Sequence, residues 1–372
     1  MPHTDLPQPL TPGSAVQVAL IGYGSAGRIF HAPLISGVPG LHLNCIVTSQ
    51  HAAVQGDWPG VRCVASTDAA LADPAIDLVV IATPNASHFD LAQRALKAGK
   101  HVVVDKPCTV TLAETDALLA LARTQGRVLT VFQNRRFDSD FLALQQVIEG
   151  GALGRVVQVD SHFDRYRPAV PVRWREQSVP GSGLWLDLGP HLVDQALALF
   201  GLPDDISLDL AALREGAQVN DWFHAVLRYT TRHGGLRVAL HASTLVAELG
   251  PRWAVHGTKG SFTKFGLDTQ EDTLKTGERP QLGHLPNWGS DPHAGEVRSF
   301  DTLPGVAAPV SVRRAAPNPA GNYLNYYAQL RDHLWGLTPE PLVTPAQVRA
   351  VMQLLSLGEQ SAAQGRFVAV DA

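Results

Sequence analysis

The sequence predicts an α/β chain of two domains: an N-terminal doubly wound parallel sheet, then an α+β domain built on a large, mostly antiparallel open sheet. Three observations predict it. A chain of 372 residues is long for one compact core. Up to Phe132, short β-rich runs alternate with helical stretches, and runs such as DLVVIA (77–82) lack polar alternation, as strands buried on both faces do. Beyond the Gly150-Gly151 break, strand-like runs follow each other without intervening helices, several with clear period-two alternation.

The first fifteen residues are proline-rich, with neither a basic nor an apolar signal region, and read as a loose tail. From Val16 come VQVALI, a helix from Ala26, then LNCIVTS, VRCVA and DLVVIATP. A helix through LAQRALKAG, the strand HVVVDKP, a helix over Leu112 to Arg123 and VLTVF complete a domain placed at 16–133. The second domain, 134–372, opens with a helix around Phe141 to Ile148 and continues through VVQVDSHF, ISLDLAAL, FHAVLRYT, LRVALHASTLV and WAVHGT. One helix, GLWLDLGPHLVDQALALF (183–200), is inserted among those strands. Gly266 to Glu296 is too long and too rich in Gly, Pro, Asp and Asn for a plain connection, and reads as a functional or interface loop. Helical patterns over Tyr323 to Trp335 and Pro345 to Ser361 close the chain.

A formal net charge of −4 gives no electrostatic reason to expect nucleic acid or an anionic membrane as partner. No apolar run approaches membrane-spanning length. Cys45, Cys63 and Cys108 are few, odd in number and without C-x-x-C spacing, which argues against a disulfide framework or thiolate zinc site and fits a cytoplasmic protein. The 15 histidines form no convincing metal constellation with carboxylates, so no metal is expected.

The strongest chemical signal is G-Y-G-S-A-G directly after VALI. Gly22, Gly24, Ser25, Ala26 and Gly27 open a helix behind a strand, the context in which glycines let backbone approach a pyrophosphate at a helix N-terminus. An NAD site wants an acidic residue about 20 positions on. Here the second strand ends in Thr48, Ser49, Gln50 and His51, and the first acidic residue after the glycines is Asp57. With no carboxylate to repel a 2′-phosphate and Ser49 able to donate to it, NADP is expected over NAD. No Lys or Arg lies between Arg28 and Arg62, so a cationic clamp is not visible in this strand. The fourth strand runs into Thr83, Pro84 and Asn85, then His88, at the carboxyl end of the sheet where doubly wound folds bind ligands.

In the inserted helix, Pro190 suits the first helical position and Asp187 an N-cap, which places His191 in the first turn. Taken alone, capping plus a partnered core histidine explains the segment. Joined to the glycine motif, the TPN turn and Asp105-Lys106-Pro107, however, D-L-G-P-H makes the sequence resemble the Gfo/Idh/MocA oxidoreductase family. GYGSAGRIFHAPLI, FQNRRFDSDF, DRYRP and RWRE are most similar to its branch containing NADP-dependent scyllo-inositol dehydrogenase. The resemblance spans nearly the whole chain from Val16. It implies a Rossmann domain, an open-sheet domain that commonly forms the oligomer interface (a dimer or tetramer), and hydride exchange between nicotinamide and a hydroxyl or keto carbon of a sugar or polyol.

The resemblance makes Lys106 the lysine of the family's E-K-P motif, with Asp105 in place of the glutamate, and makes Asp187 and His191 the polar pair of the substrate site. Oxidising an alcohol requires the hydroxyl proton to leave with the hydride, and an imidazole titrating near neutrality suits that task. His191 is the expected base, Asp187 its orienting partner and Lys106 the stabiliser of alkoxide character, although Lys106 with a depressed pKa could share the proton. Asn134 and Arg136, with Tyr166 and Trp174 of the R-Y-R-P and R-W-R-E segments, are expected substrate contacts, since a polyol needs multidentate donors and aromatic faces. The bland alternative for each is an interdomain salt bridge or core aromatic. Two other readings stay open: a non-catalytic cofactor-sensing regulator, and a hydrolase that uses NAD transiently on glycosidic bonds.

Overall fold

A computed structural model describes residues 9–230, 233–301 and 309–371 of the chain, in two compact units. The first unit holds β1 (Val16–Ile21), β2 (Leu41–Val47), β3 (Arg62–Val64), β4 (Leu78–Ile81), β5 (His101–Val104) and β6 (Leu129–Val131) in one parallel sheet of order β3-β2-β1-β4-β5-β6. Every residue of β4 and β5 is buried, as the unbroken apolar runs require of strands covered on both faces. The order reverses between β1 and β4, where doubly wound sheets open a crevice at their carboxyl ends. The Leu112–Thr124 helix begins with a capping box, the Thr111 hydroxyl accepting from the Glu114 N–H.

The tail expected over the first fifteen residues is described only from residue 9, and residues 1–8 lie outside the described residues. Within it, the Leu10 N–H donates to the Leu334 carbonyl at 2.8 Å and the Trp335 indole donates to the Ser14 carbonyl. The first unit also gathers Gln270–Trp288 and Asn322–Met352, which the sequence reading assigns to the second domain. Hydrogen bonds to the N-terminal part explain it: the Leu282 N–H donates to the Gly37 carbonyl and Arg331 to the Pro39 carbonyl, while the Gln270 side-chain oxygen accepts from the Trp288 indole and the Tyr323 N–H and pins the two segments together. The expected long loop thus contains a helix, Gln270–Lys275, and divides between the units.

The second unit is a nine-stranded sheet of β7 (Val156–His162), β8 (Asp205–Ala211), β9 (Trp222–Tyr229), β10 (Leu236–Ser243), β11 (Trp253–Gly257), β12 (Gly260–Lys264), β13 (Glu296–Asp301), β14 (Val310–Ala315) and β15 (Val368–Ala369). The order is β14-β13-β12-β11-β7-β10-β9-β8-β15; β7 and β10 run parallel and the other neighbours antiparallel. β9 reads as alternately half-buried and buried along its whole length, so one face of the sheet packs inward and the other does not. The inward face meets the Leu184–Phe200 helix, where the Trp185 ring stands edge-on to Phe223 at 5.0 Å.

That helix corrects the expected start. It begins at Leu184, so Asp187 lies in its first turn and Pro190 inside it, not at its first position. The cause is Asn220, whose main-chain and side-chain oxygens accept from the Leu184 and Trp185 N–H groups at 2.8 Å each, supplying the cap that sequence reasoning gave to Asp187. Gly183 precedes it with φ +89°, and a Cβ there would stand 2.7 Å from the Asn220 amide nitrogen.

Candidate active site

The glycine turn is built by close approach. Gly22 has φ +99°, and a Cβ on it would lie 2.5 Å from the Ala82 carbonyl oxygen; one on Gly27 would lie 2.1 Å from the Gly22 oxygen. Gly24 meets nothing within 4 Å, and with Ser25 it is exposed while Ala26 is half-buried. Two glycines therefore close the turn and the middle one leaves its face open, a cradle that fits a pyrophosphate. Beside it lies a cavity of about 520 Å³ lined by Gly24, Ser25, Arg28, Gln50, Trp58 and Arg279, among others.

The cations absent from the second strand come from elsewhere. Arg28 sits in the glycine helix, while Lys275 and Arg279 arrive from the 270–288 segment. Asp57 organises them. Its carboxylate accepts from Arg28 Nε at 2.7 Å and the Tyr23 hydroxyl at 2.8 Å, and the Arg28 bond holds it below the usual carboxylate range. Arg279 donates to the Asp57 carbonyl and lies 3.9 Å over the Trp58 ring. Ser49 is exposed at the end of β2, next to Gln50, whose amide donates to the Tyr23 carbonyl.

The TPN turn abuts this cradle, since the Gly22 Cβ position is 3.1 Å from Thr83 Cγ2. Thr83 accepts from the Ser87 hydroxyl at 2.7 Å, and buried Asn85 opens a short 3-10 turn after Pro84. His88 is fully buried with its two ring nitrogens 2.9 and 3.0 Å from the Pro107 and Thr83 carbonyl oxygens. Its ring thus clasps the TPN turn to the segment after β5.

Asp105 and Lys106 follow β5, joined to Pro107 by a cis peptide. Burial alone would raise the Asp105 carboxyl, but His31, Lys106 and His88 together hold it down at about 2. His31 Nε2 stands 3.9 Å from the carboxylate, while its Nδ1 meets the Tyr327 hydroxyl at 2.6 Å. The lysine is therefore carried on a turn whose neighbouring charge is fixed by a buried histidine and tyrosine.

In the second unit, Asp187 and His191 are one turn apart on a helix that is otherwise largely apolar, so they share a face. Asp187 lines a cavity of about 310 Å³ whose wall includes Arg165, Arg167, Arg173, Arg175 and Arg214. Arg175 Nε is 3.6 Å from the Asp187 carboxylate, and its guanidinium lies over Trp174. Arg214, which sequence reasoning missed, holds this wall: it is buried and donates to Asp221, to Glu176 and to the Arg167 and Ala169 carbonyls.

Among the expected substrate contacts, Tyr166 is 59% exposed and bridges to Leu245, Asn134 is buried at the start of a 3-10 turn, and Arg136 is buried against Asp194. Arg136 is thereby committed within the protein. The expectation that histidines and carboxylates do not gather also needs correction, because His162, Asp164 and His241 place ligand atoms within 4.8 Å of one another.

Residues 16–133 match the oxidoreductase family's NAD-binding Rossmann fold, and residues 141–263 match the GFO/IDH/MocA C-terminal domain. The chain belongs to the GFO/IDH/MocA oxidoreductase family. As a member it is an enzyme with a nicotinamide-nucleotide domain and a small-molecule substrate. This GFO/IDH/MocA chain is 51% identical to the oxidoreductase YdgJ of Escherichia coli over 93% of its own length and 96% of that protein's. It is 33% identical to the scyllo-inositol 2-dehydrogenase (NADP(+)) IolW of Bacillus subtilis, covering 96% of each. A solved oxidoreductase structure from Yersinia pestis superposes with a TM-score of 0.89 at 48% identity, covering 96% of this chain and 98% of that one. No helix among the described residues is long and apolar enough to cross a membrane.

Proposed function

We propose that the protein is an NADP-preferring dehydrogenase that exchanges a hydride with a hydroxyl or keto carbon of a polyol or sugar of inositol type. The observation that carries this reading is the Asp187–His191 pair on one helix face, with Asp187 at the wall of an arginine-rich cavity. The scyllo-inositol specificity of the Bacillus subtilis relative adds to it.

When bound, a nicotinamide nucleotide would supply or accept the hydride. Gly22, Gly24, Ser25, Ala26 and Gly27, with Thr83, Pro84 and Asn85, hold the nucleotide, and His88 shapes their turn. Ser49, Arg28 and Arg279 favour the 2′-phosphate form, since no carboxylate ends β2 and the Asp57 carboxylate in the same cavity is paired with Arg28. His191 takes the hydroxyl proton, Asp187 steadies the imidazolium, and Lys106 stabilises negative charge on the reacting oxygen. Asn134, Tyr166 and Trp174 contribute to the sugar site. The free thiols of Cys45, Cys63 and Cys108 suit a reducing cytoplasm. The half-buried outer face of the nine-stranded sheet, carrying Trp222 and Val226, is where a second copy docks; light scattering that returns a monomer removes this part.

The deciding experiment measures initial hydride-transfer rates with NADP+ and NAD+ against inositol isomers, aldoses and their keto forms, for the wild type and for Lys106→Ala and His191→Ala. Turnover that both variants lose while still binding NADPH supports the proposal. Nucleotide binding without turnover on every compound favours the sensor, and glycoside cleavage with no net cofactor turnover favours the hydrolase.

A further inference from the structure

We propose that His162, Asp164 and His241 bind one divalent transition-metal ion of the zinc type, at the ends of β7 and β10 in the second unit. His162 and Asp164 are two residues apart on an extended segment, the spacing that puts side chains on one side. The parallel register of β7 and β10 sets His241 directly beside His162, with ring centroids 5.0 Å apart. The carboxylate lies between the two rings. His162 Nδ1 is 3.1 Å from Asp164 Oδ2, and His241 Nε2 is 3.4 Å from Asp164 Oδ1.

Two imidazole nitrogens and a carboxylate oxygen are a donor set for zinc and its first-row neighbours; magnesium and calcium prefer all-oxygen sites. Ligand atoms round an ion with bonds of about 2.1 Å stand roughly 3 to 3.5 Å apart. The three here, within 4.8 Å of one another, reach that by a side-chain adjustment of about 1 Å. The second observation is Asp164 itself. Its side chain is only 8% exposed, and among the described residues its Oδ1 accepts no hydrogen bond, the His241 Nε2 at 3.4 Å not being aligned to donate one. A buried carboxylate oxygen whose hydrogen bond is not made costs free energy, and a cation between it and the two imidazoles removes that cost. Trp222 walls one side, edge-on to His241 at 5.4 Å, and the His162 side chain is 36% exposed, so the site opens on the same outer sheet face on which a second copy is proposed to dock.

The ion would tie the end of β7 to the end of β10. The strands leave it toward Arg165 and Arg167 on one side and Thr244 on the other, all residues of the 310 Å³ cavity wall, so its role is to fix that wall. Nothing in this site depends on the identity of the substrate.

The test uses the full chain without an affinity tag, stripped with a chelator and dialysed against micromolar Zn2+ or Co2+. Expected are one ion per chain by elemental analysis, a tetrahedral-type Co2+ absorption spectrum and a higher melting temperature with metal. His241→Ala and Asp164→Asn should each weaken binding at least tenfold. His256→Ala should not, since His256 is hydrogen-bonded to Ser261 on β12. If the His241 variant fails to fold, His162→Gln, at the more exposed ring, reads the same loss. A wild-type chain that retains no stoichiometric metal, one ion per two chains, or variants that bind as the wild type does would each overturn the site.

Discussion

The Arg136 guanidinium grips the Asp194 carboxylate at 2.8 Å through Nε and 2.7 Å through Nη2, with both side chains buried. Asp194 lies one turn beyond His191 on the same helix, so this pair fixes the helix that presents Asp187 and His191. Removing one partner of a buried pair leaves the other uncompensated, typically at 3–5 kcal/mol. Arg136→Ala should therefore lower the unfolding free energy by an amount of that order. Wild-type stability in urea titrations, with only KM raised, would make Arg136 a substrate ligand.

Gly22 and Gly24 should separate fold from ligand. Gly22→Ala puts a Cβ 2.5 Å from a backbone oxygen at φ +99° and is expected to cost several kcal/mol in thermal melts. Gly24→Ala meets nothing, so its melting temperature should stay within a degree or two while NADPH affinity drops about tenfold. Unchanged affinity in the Gly24 variant would place the nucleotide elsewhere.

Cofactor choice should respond to charge at the 520 Å³ cavity and at Ser49, the neighbour of its lining residue Gln50. A lost charge-assisted hydrogen bond is worth about 1.5–3 kcal/mol, roughly ten- to a hundredfold. Ser49→Asp and Arg279→Ala are each expected to lower kcat/KM for NADP+ by at least tenfold relative to NAD+. A constant ratio in initial rates would show that these positions do not select the nucleotide.

Acid should loosen the first unit before the carboxylates titrate. Burial, with Arg127 and His333 nearby, lowers the His101 pKa from 6.5 to about 4, and its Nδ1 accepts from the Val128 N–H. A histidine with a depressed folded pKa binds its proton more readily when unfolded, so stability falls as pH drops from about 6.5 toward 4 and levels below. The loss should total about 3 kcal/mol for this group. His101→Asn should flatten that part of a stability profile measured by urea titration; a slope identical to wild type would move the effect to other groups.

Much of the nucleotide half was legible because its signals are local. A strand, a glycine turn and a helix succeed each other within about twenty residues, and steric closure at Gly22 and Gly27 follows from the same run. What escaped depends on residues brought together from far along the chain. The inserted helix starts early because Asn220 caps it; the cations beside the glycine turn include Lys275 and Arg279; and two late segments join the first unit through bonds from Leu282 to Gly37 and from Arg331 to Pro39. β12 to β14 flank the Gly266–Glu296 stretch that composition marks as loop, and no local pattern assigned them as strands. The histidine cluster needed the β7–β10 register, which no local pattern encodes.

That parallel pairing also bears on how the chain reaches its native state. β8, β9 and β10 pair consecutively, joined by short connections, whereas β7 finds β10 across more than seventy intervening residues. Closing so large a loop carries its entropy cost before any ladder bond offsets it. The local β8–β10 meander can therefore assemble first, and the seams that close long loops, β7 against β10 and β11 and β15 against β8, follow it.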